Sequence, residues 1–121
     1  MTPNSSLLQV LSRANAKAVL DSPWPGTALS GDPQTVTINA YESADGRLLS
    51  GTWESSPGMW AIDYRDWEYC HLLAGHCIIR PAGGQPVELR AGDVFVIEPG
   101  LKGTWEVIER IRKHYVFVLT A

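Results

Sequence analysis

Cysteine is scarce in this chain: Cys70 and Cys77 are the only two in 121 residues. They form no CxxC pair, so a zinc knuckle is not expected. In a chain without a secretion signal, two such residues read as free thiols. Charge of one sign is also lacking. Ten Lys and Arg are interspersed with thirteen Asp and Glu, the formal net charge is -3, and there is no basic block. Phosphate contacts need a cationic patch, so nucleic acid is not an expected partner. No apolar run reaches membrane-spanning length. The opening MTPNSSLLQVLSRANAKAVL lacks the apolar core of a signal peptide. No membrane partner is expected, and the default address is the cytoplasm. Between residues 34 and 120 there is no long amphipathic helix, which leaves a βαβ crossover no place to sit. No tandem repeat appears at a solenoid period.

What is present suffices for one domain with a real core, since 45% of the residues are apolar. Residues 5–20 carry apolar side chains at mixed spacing, read as a strand passing into a helical turn. Asp21 to Pro25 punctuates them, and Thr27 to Pro33 (TALSGDP) reads as loop. From Gln34 the pattern is strands. QTVTINAYES alternates, with Val36, Ile38 and Ala40 on one face and Thr35, Thr37 and Asn39 on the other, a half-buried strand. RLLSGTWES, MWAIDYR, EYCHLLAG, HCIIRP, PVELRAGD, VFVIEPG, GTWEVIE and RIRKHYVFVLT follow, with Gly75 and Ala82 to Gln85 as turns between them. Turn signals every 8 to 12 residues or so indicate an all-β sandwich or barrel. The division expected is an N-terminal extension, 1–33, packing on a β-barrel domain, 34–121.

Two segments carry a signature. In GMWAIDYRDWEYCHLLAG (58–75), Glu68 and Gly75 are spaced by six residues. In RAGDVFVIEPGLKGTWEV (90–107), Gly92, Asp93 and Gly100 are in register, with Glu98 standing where a proline usually sits. These runs resemble the two motifs of the cupin superfamily. The closing Gly103-Thr104-Trp105-Glu106-Val107 and Arg112-Lys113-His114-Tyr115 are similar to the subfamily that includes the cupin domain of (S)-ureidoglycine aminohydrolase. The resemblance covers about residues 45 to 120. It implies a single-domain, double-stranded β-helix, the jelly-roll barrel, and a homodimer. The family's first motif is a glycine, His-x-His, a glutamate three or four residues later, then six residues and a glycine. Aligned back from Glu68 with four, its two histidine positions fall on Ala61 and Asp63. The third histidine position falls on Gly103. Of four expected ligands only Glu68 is kept, with Asp63 a further oxygen donor. Neither a tight metal site nor another cofactor is therefore expected.

Strand parity then selects the residues that face the interior. Glu68, Cys70 and Leu72 point in if Glu68 does, while Tyr69 and His71 point out. By the metal-ligand register Ala61 and Asp63 share the inward face. Trp105 and Val107 follow position 103, and Lys113 and Tyr115 share parity. The candidate ligand-binding set is Trp53, Asp63, Glu68, Cys70, Trp105, Lys113 and Tyr115. Glu68 reads either as a base or amine anchor, or as a carboxylate satisfied by Lys113 or Arg65, and Asp63 more readily as the latter. Lys113 would hold a substrate carboxylate as a point charge, and Trp53 and Trp105 would be cavity walls. Cys70 reads either as a nucleophile or as a small apolar residue. The expected function is binding of a small polar metabolite, a carboxylate or an amine. The alternative is a metal-dependent enzyme acting on a small nitrogen-containing metabolite.

Overall fold

In the computed structural model, residues 7–11, 17–19 and 24–120 are described. Among the described residues there are nine strands and no α-helix. They are β1 (Lys17–Val19), β2 (Gly26–Ser30), β3 (Thr35–Glu42), β4 (Leu48–Ser55), β5 (Gly58–Asp63), β6 (Trp67–Pro81), β7 (Val87–Arg90), β8 (Val94–Ile97) and β9 (Lys102–Val118). All pairings are antiparallel. The spine is β9, which pairs along its whole length with β6 on one side. On its other side its two halves pair with β5 and β4. β6 in turn pairs with β8 through its first half and with β7 through its second.

This pairing is a double sheet made from two long strands that bend. Register shifts in β6 fall between Leu72 and Ala74, between Ala74 and His76, and between His76 and Cys77. Bulges of this kind bend a strand and increase its twist. At the centre of the bend Gly75 has φ +91°, and a Cβ there would lie 2.1 Å from the Arg110 carbonyl oxygen. The β4–β9–β6–β8 half is thereby turned over the β5–β9–β6–β7 half, in the jelly-roll manner. Between the halves lies one core that includes Trp53, Ile62, Tyr64, Leu72, Ile79, Leu89, Trp105, Ile111 and Phe117. The alternation of these residues with exposed or half-buried neighbours is the period-two pattern of half-buried strands.

The all-β jelly roll agrees with the expectation, and four local readings are corrected. Gly75 does not separate two strands. EYCHLLAG and HCIIRP form the single bent β6, and GTWEVIE and RIRKHYVFVLT the single bent β9. TALSGDP is not all loop, because Gly26–Ser30 pairs with β5 and so covers an edge. Lys17–Val19 is a strand paired with β3, not a helical turn. The rest of the 5–20 reading, beyond Leu7 to Leu11, lies outside the described residues. Last, β3 buries the face opposite to its apolar one: Thr37 is buried, whereas Val36 and Ile38 are exposed. Its neighbour decides this. Thr37 stands across from Trp53 and Asn39 across from Gly51, both on the inward face of β4. No helix among the described residues is long and apolar enough to cross a membrane.

The bend can be tested by comparing two glycines. Gly83 also has positive φ, +74°, but nothing lies within 4 Å of its would-be Cβ. Gly83→Ala should cost about 1 kcal/mol, the penalty of a left-handed backbone alone. Gly75→Ala should cost about 3 kcal/mol or more, because the Arg110 carbonyl must also move. Urea midpoints measure both, and equal losses would contradict the account.

Candidate functional site

The curl brings the inward residues of four strands to one point. Lys113 sits in β9 between Trp53 of β4 and Leu72 of β6. Its side chain ends on Glu68, also of β6: the Nζ donates to Glu68 Oε2 at 2.7 Å. Both side chains are 0% exposed. Tyr64, just past the end of β5, donates its hydroxyl to the other carboxylate oxygen, Glu68 Oε1, at 2.6 Å. The ammonium also points at Cys70 Sγ, 3.9 Å away. Around it stand three indoles, with ring centroids 4.7 Å (Trp105), 5.1 Å (Trp53) and 5.5 Å (Trp24) from Nζ. Trp24 lies two residues before the first residue of β2. It stacks on Trp53 at 4.5 Å and meets Trp60 and Trp105 edge-on.

An ion pair taken out of water is costly unless its geometry and its remaining hydrogen bonds are good. Here the carboxylate has a donor on each oxygen, and the ammonium has a carboxylate, a sulfur and three π faces. A desolvated cation over an indole gains about 2 kcal/mol, which offsets part of the dehydration. Burial, and then the Glu68 charge, push the Tyr64 hydroxyl well above its ordinary range, so it stays a donor. Burial likewise raises the Cys70 thiol well above its usual value, with Lys113 pulling the other way. Cys77 is pushed up to about 11, mainly by burial. Tyr115 is pushed up to about 12 by burial and by Glu68, and donates to Asn39 Oδ1 at 3.1 Å. Neither thiol is a thiolate at neutral pH, so Cys70 is not poised as a nucleophile.

The model of the EutQ-like cupin domain matches residues 42–115, which hold the bent β6, most of the spine β9 and both members of the buried pair. The chain belongs to the EutQ-like cupin family. Solved structures similar to this cupin include three proteins at low identity. One is a putative ethanolamine utilization protein Q from Salmonella typhimurium, at 20% identity and TM-score 0.62, covering 69% of this chain and 68% of that one. A protein of unknown function of the DUF861 family from Pseudomonas syringae pv. tomato is 20% identical with TM-score 0.72, covering 88% of this chain but only 45% of its own. Ectoine synthase from P. lautus is 14% identical with TM-score 0.63, covering 75% of this chain and 67% of that one. No match was found among curated proteins. At these identities the structures speak for the fold alone.

The cupin frame allows the metal positions to be placed. Asp63 is exposed, and the inward residues of β5 and its end are Trp60, Ile62 and Tyr64. The expectation that Ala61 and Asp63 face the interior is therefore corrected. The family motif also permits three residues between the second histidine and the glutamate, and that spacing puts the two positions on Ile62 and Tyr64. The third position, Gly103, pairs with Ile62. Its φ is +154°, and a Cβ there would come 2.1 Å from the Arg80 carbonyl oxygen, so no donor side chain fits without moving backbone. Among the described residues no three His, Cys, Asp or Glu converge on one point. Glu68 is left as the single carboxylate, already held by Lys113 and Tyr64. A divalent metal does not fit this donor set.

Of the candidate residues, Trp53, Glu68, Cys70, Trp105 and Lys113 come together, and Tyr115 lies beside them, opposite Cys70. Asp63 does not join them. Two participants escaped the sequence reading. Tyr64 was readable from the alternation Trp60–Ile62–Tyr64, which outweighs a register borrowed from absent histidines. Trp24 is flanked by Pro23 and Pro25 in the sequence, and nothing local marks it as part of the site. His71 and His114 pair across β6 and β9 on the outer face, where burial and His71 lower the His114 pKa.

Two measurements follow from this geometry. Lys113→Met leaves a buried carboxylate without its cation and should cost about 3–5 kcal/mol, while Glu68→Gln/Lys113→Met should recover much of it. A double-mutant cycle in urea checks this, and a coupling under about 0.5 kcal/mol would contradict the pair. For pH, the folded chain keeps the Cys77 and Tyr115 protons up to about 11 and 12, whereas ordinary thiols and phenols release theirs near 9.0 and 10.0. Their stabilisation is full below pH 9 and is lost as pH rises through those folded values. Urea midpoints should therefore fall between pH 9 and pH 12 (values near 7 as reference), and a flat profile to pH 11 would count against burial of these groups.

Proposed function

We propose that this cupin is a binding module for a small metabolite carrying a carboxylate, with the Lys113 ammonium as its anchor. The observation that carries the reading is the fully buried Lys113–Glu68 pair inside a ring of tryptophans. An apolar pair of similar size would hold the barrel at least as well, so a charged pair here has a use in recognition. An ammonium has three N–H donors. One is taken by Glu68 and another reaches only a sulfur, which leaves a donor facing the indoles. A ligand carboxylate accepts from it. Trp53 and Trp105 flank the body of the ligand, and Cys70 and Tyr115 complete the wall.

Entry requires a door, and Trp24 is the best placed. It is the most exposed of the three indoles around Nζ, at 8%, against 2% for Trp53 and 0% for Trp105. It belongs to the segment leading into β2 rather than to the long strands. The ligand displaces it and takes over its stacking on Trp53. The metal-dependent alternative draws no support from this donor set.

Titration of the intact protein with a panel of small carboxylates and amines, followed by tryptophan fluorescence, tests the reading. Saturable quenching by a carboxylate is expected, with at least tenfold weaker binding in Lys113→Met. Trp24→Ala should bind the same compound several-fold more tightly, because the displacement cost is gone. If no compound changes either fluorescence or melting temperature, the binding reading fails.

A further inference from the structure

The retained family glutamate does hold a cation, and that cation is part of the chain. We infer that the centre of this barrel is a primary-ammonium site, filled from within by Lys113 in place of a divalent metal. This goes beyond the ligand reading and does not depend on it, since it concerns what Glu68 binds rather than what Lys113 binds next.

Three observations support it. First, the residues at the other metal positions suit an ammonium and not a metal. Ile62 supplies no donor, Gly103 has no room for a side chain, and the Tyr64 hydroxyl is spent as a donor to Glu68 Oε1. Second, the remaining walls are π faces. Indoles at 4.7, 5.1 and 5.5 Å from Nζ favour a monocation, whose hydration shell costs far less to strip than a divalent ion's. A divalent ion keeps a shell of oxygen donors, which tryptophan faces cannot replace. Third, the stoichiometry of charge is met by one carboxylate and one ammonium, 2.7 Å apart, with neither exposed. The site as built selects an alkylammonium by charge, by hydrogen bonding to Glu68 and by the aromatic box around it.

Truncation of Lys113 at Cβ would remove three methylenes and the ammonium, the shape of n-propylammonium. Apolar cavities made by truncation are known to take up small guests that match them. Melting of Lys113→Ala is therefore measured with 50 mM propylammonium, tetramethylammonium or sodium chloride, or with zinc or manganese at micromolar levels. Propylammonium is expected to raise its Tm by about 3 °C or more over sodium. It should leave the wild type and Glu68→Gln/Lys113→Ala unmoved. Rescue by zinc or manganese equal to that by propylammonium would overturn the inference, as would rescue that persists without Glu68. Should Lys113→Ala fail to fold, the wild type decides through metal analysis after purification without chelator or tag. Less than about a tenth of an equivalent of any divalent metal supports an ammonium site. A stoichiometric metal that is lost in Glu68→Gln overturns it.

Discussion

The Lys113–Glu68 contact constrains everything around it. A charge pair without solvent exposure has to be satisfied entirely by protein groups, and each neighbour can be understood from that demand. Tyr64 caps the second carboxylate oxygen, and three indoles wrap the ammonium. The demand also reaches the backbone. Glu68 and Lys113 stand on the first half of β6 and the second half of β9, while Trp105 stands on the first half of β9. Glu68 and Lys113 belong to the same β6–β9 half, and Trp105 of the other half joins them because the halves turn over each other at the bulged bend around Gly75. The bend that makes the jelly roll thus also makes the site.

Most of the fold was legible because strand periodicity survives in a small barrel with one shared core. The parity of Glu68, Cys70 and Leu72, and of Trp105, Lys113 and Tyr115, follows from simple alternation, and all six are buried. Where reading failed, a non-local term decided the outcome. β3 presents Thr37 inward because of what β4 sets opposite it. β6 and β9 run through their glycine or charged mid-sections because pairing with each other outweighs local turn preference. In β5 the alternation was visible as Trp60–Ile62–Tyr64, and a motif register overrode it. Trp24 is the hardest case. Its role comes from where a short strand, β2, is paired to β5, and a Pro-flanked tryptophan gives no sign of that.

Family membership and site chemistry diverge in this protein. The cupin frame supplies the barrel and the position of Glu68. Around that glutamate stand aromatic faces, a buried phenol and a tethered ammonium. A cation of single charge in a closed, apolar setting can orient and hold an anion. It lacks the open coordination positions through which a metal activates water. The proposed recognition role therefore rests on the physical chemistry of this site and not on the fold.

The central claim is that one ammonium sits at the core of the barrel, bonded to Glu68 and enclosed by indoles. The chain has only three lysines, Lys17, Lys102 and Lys113, so side-chain ammonium resonances observed by proton–nitrogen NMR address the claim directly. The account predicts one ammonium signal with slowly exchanging protons, moved far upfield by the ring currents of Trp24, Trp53 and Trp105, and lost in Lys113→Met. Three lysines with fast exchange and ordinary shifts would contradict it.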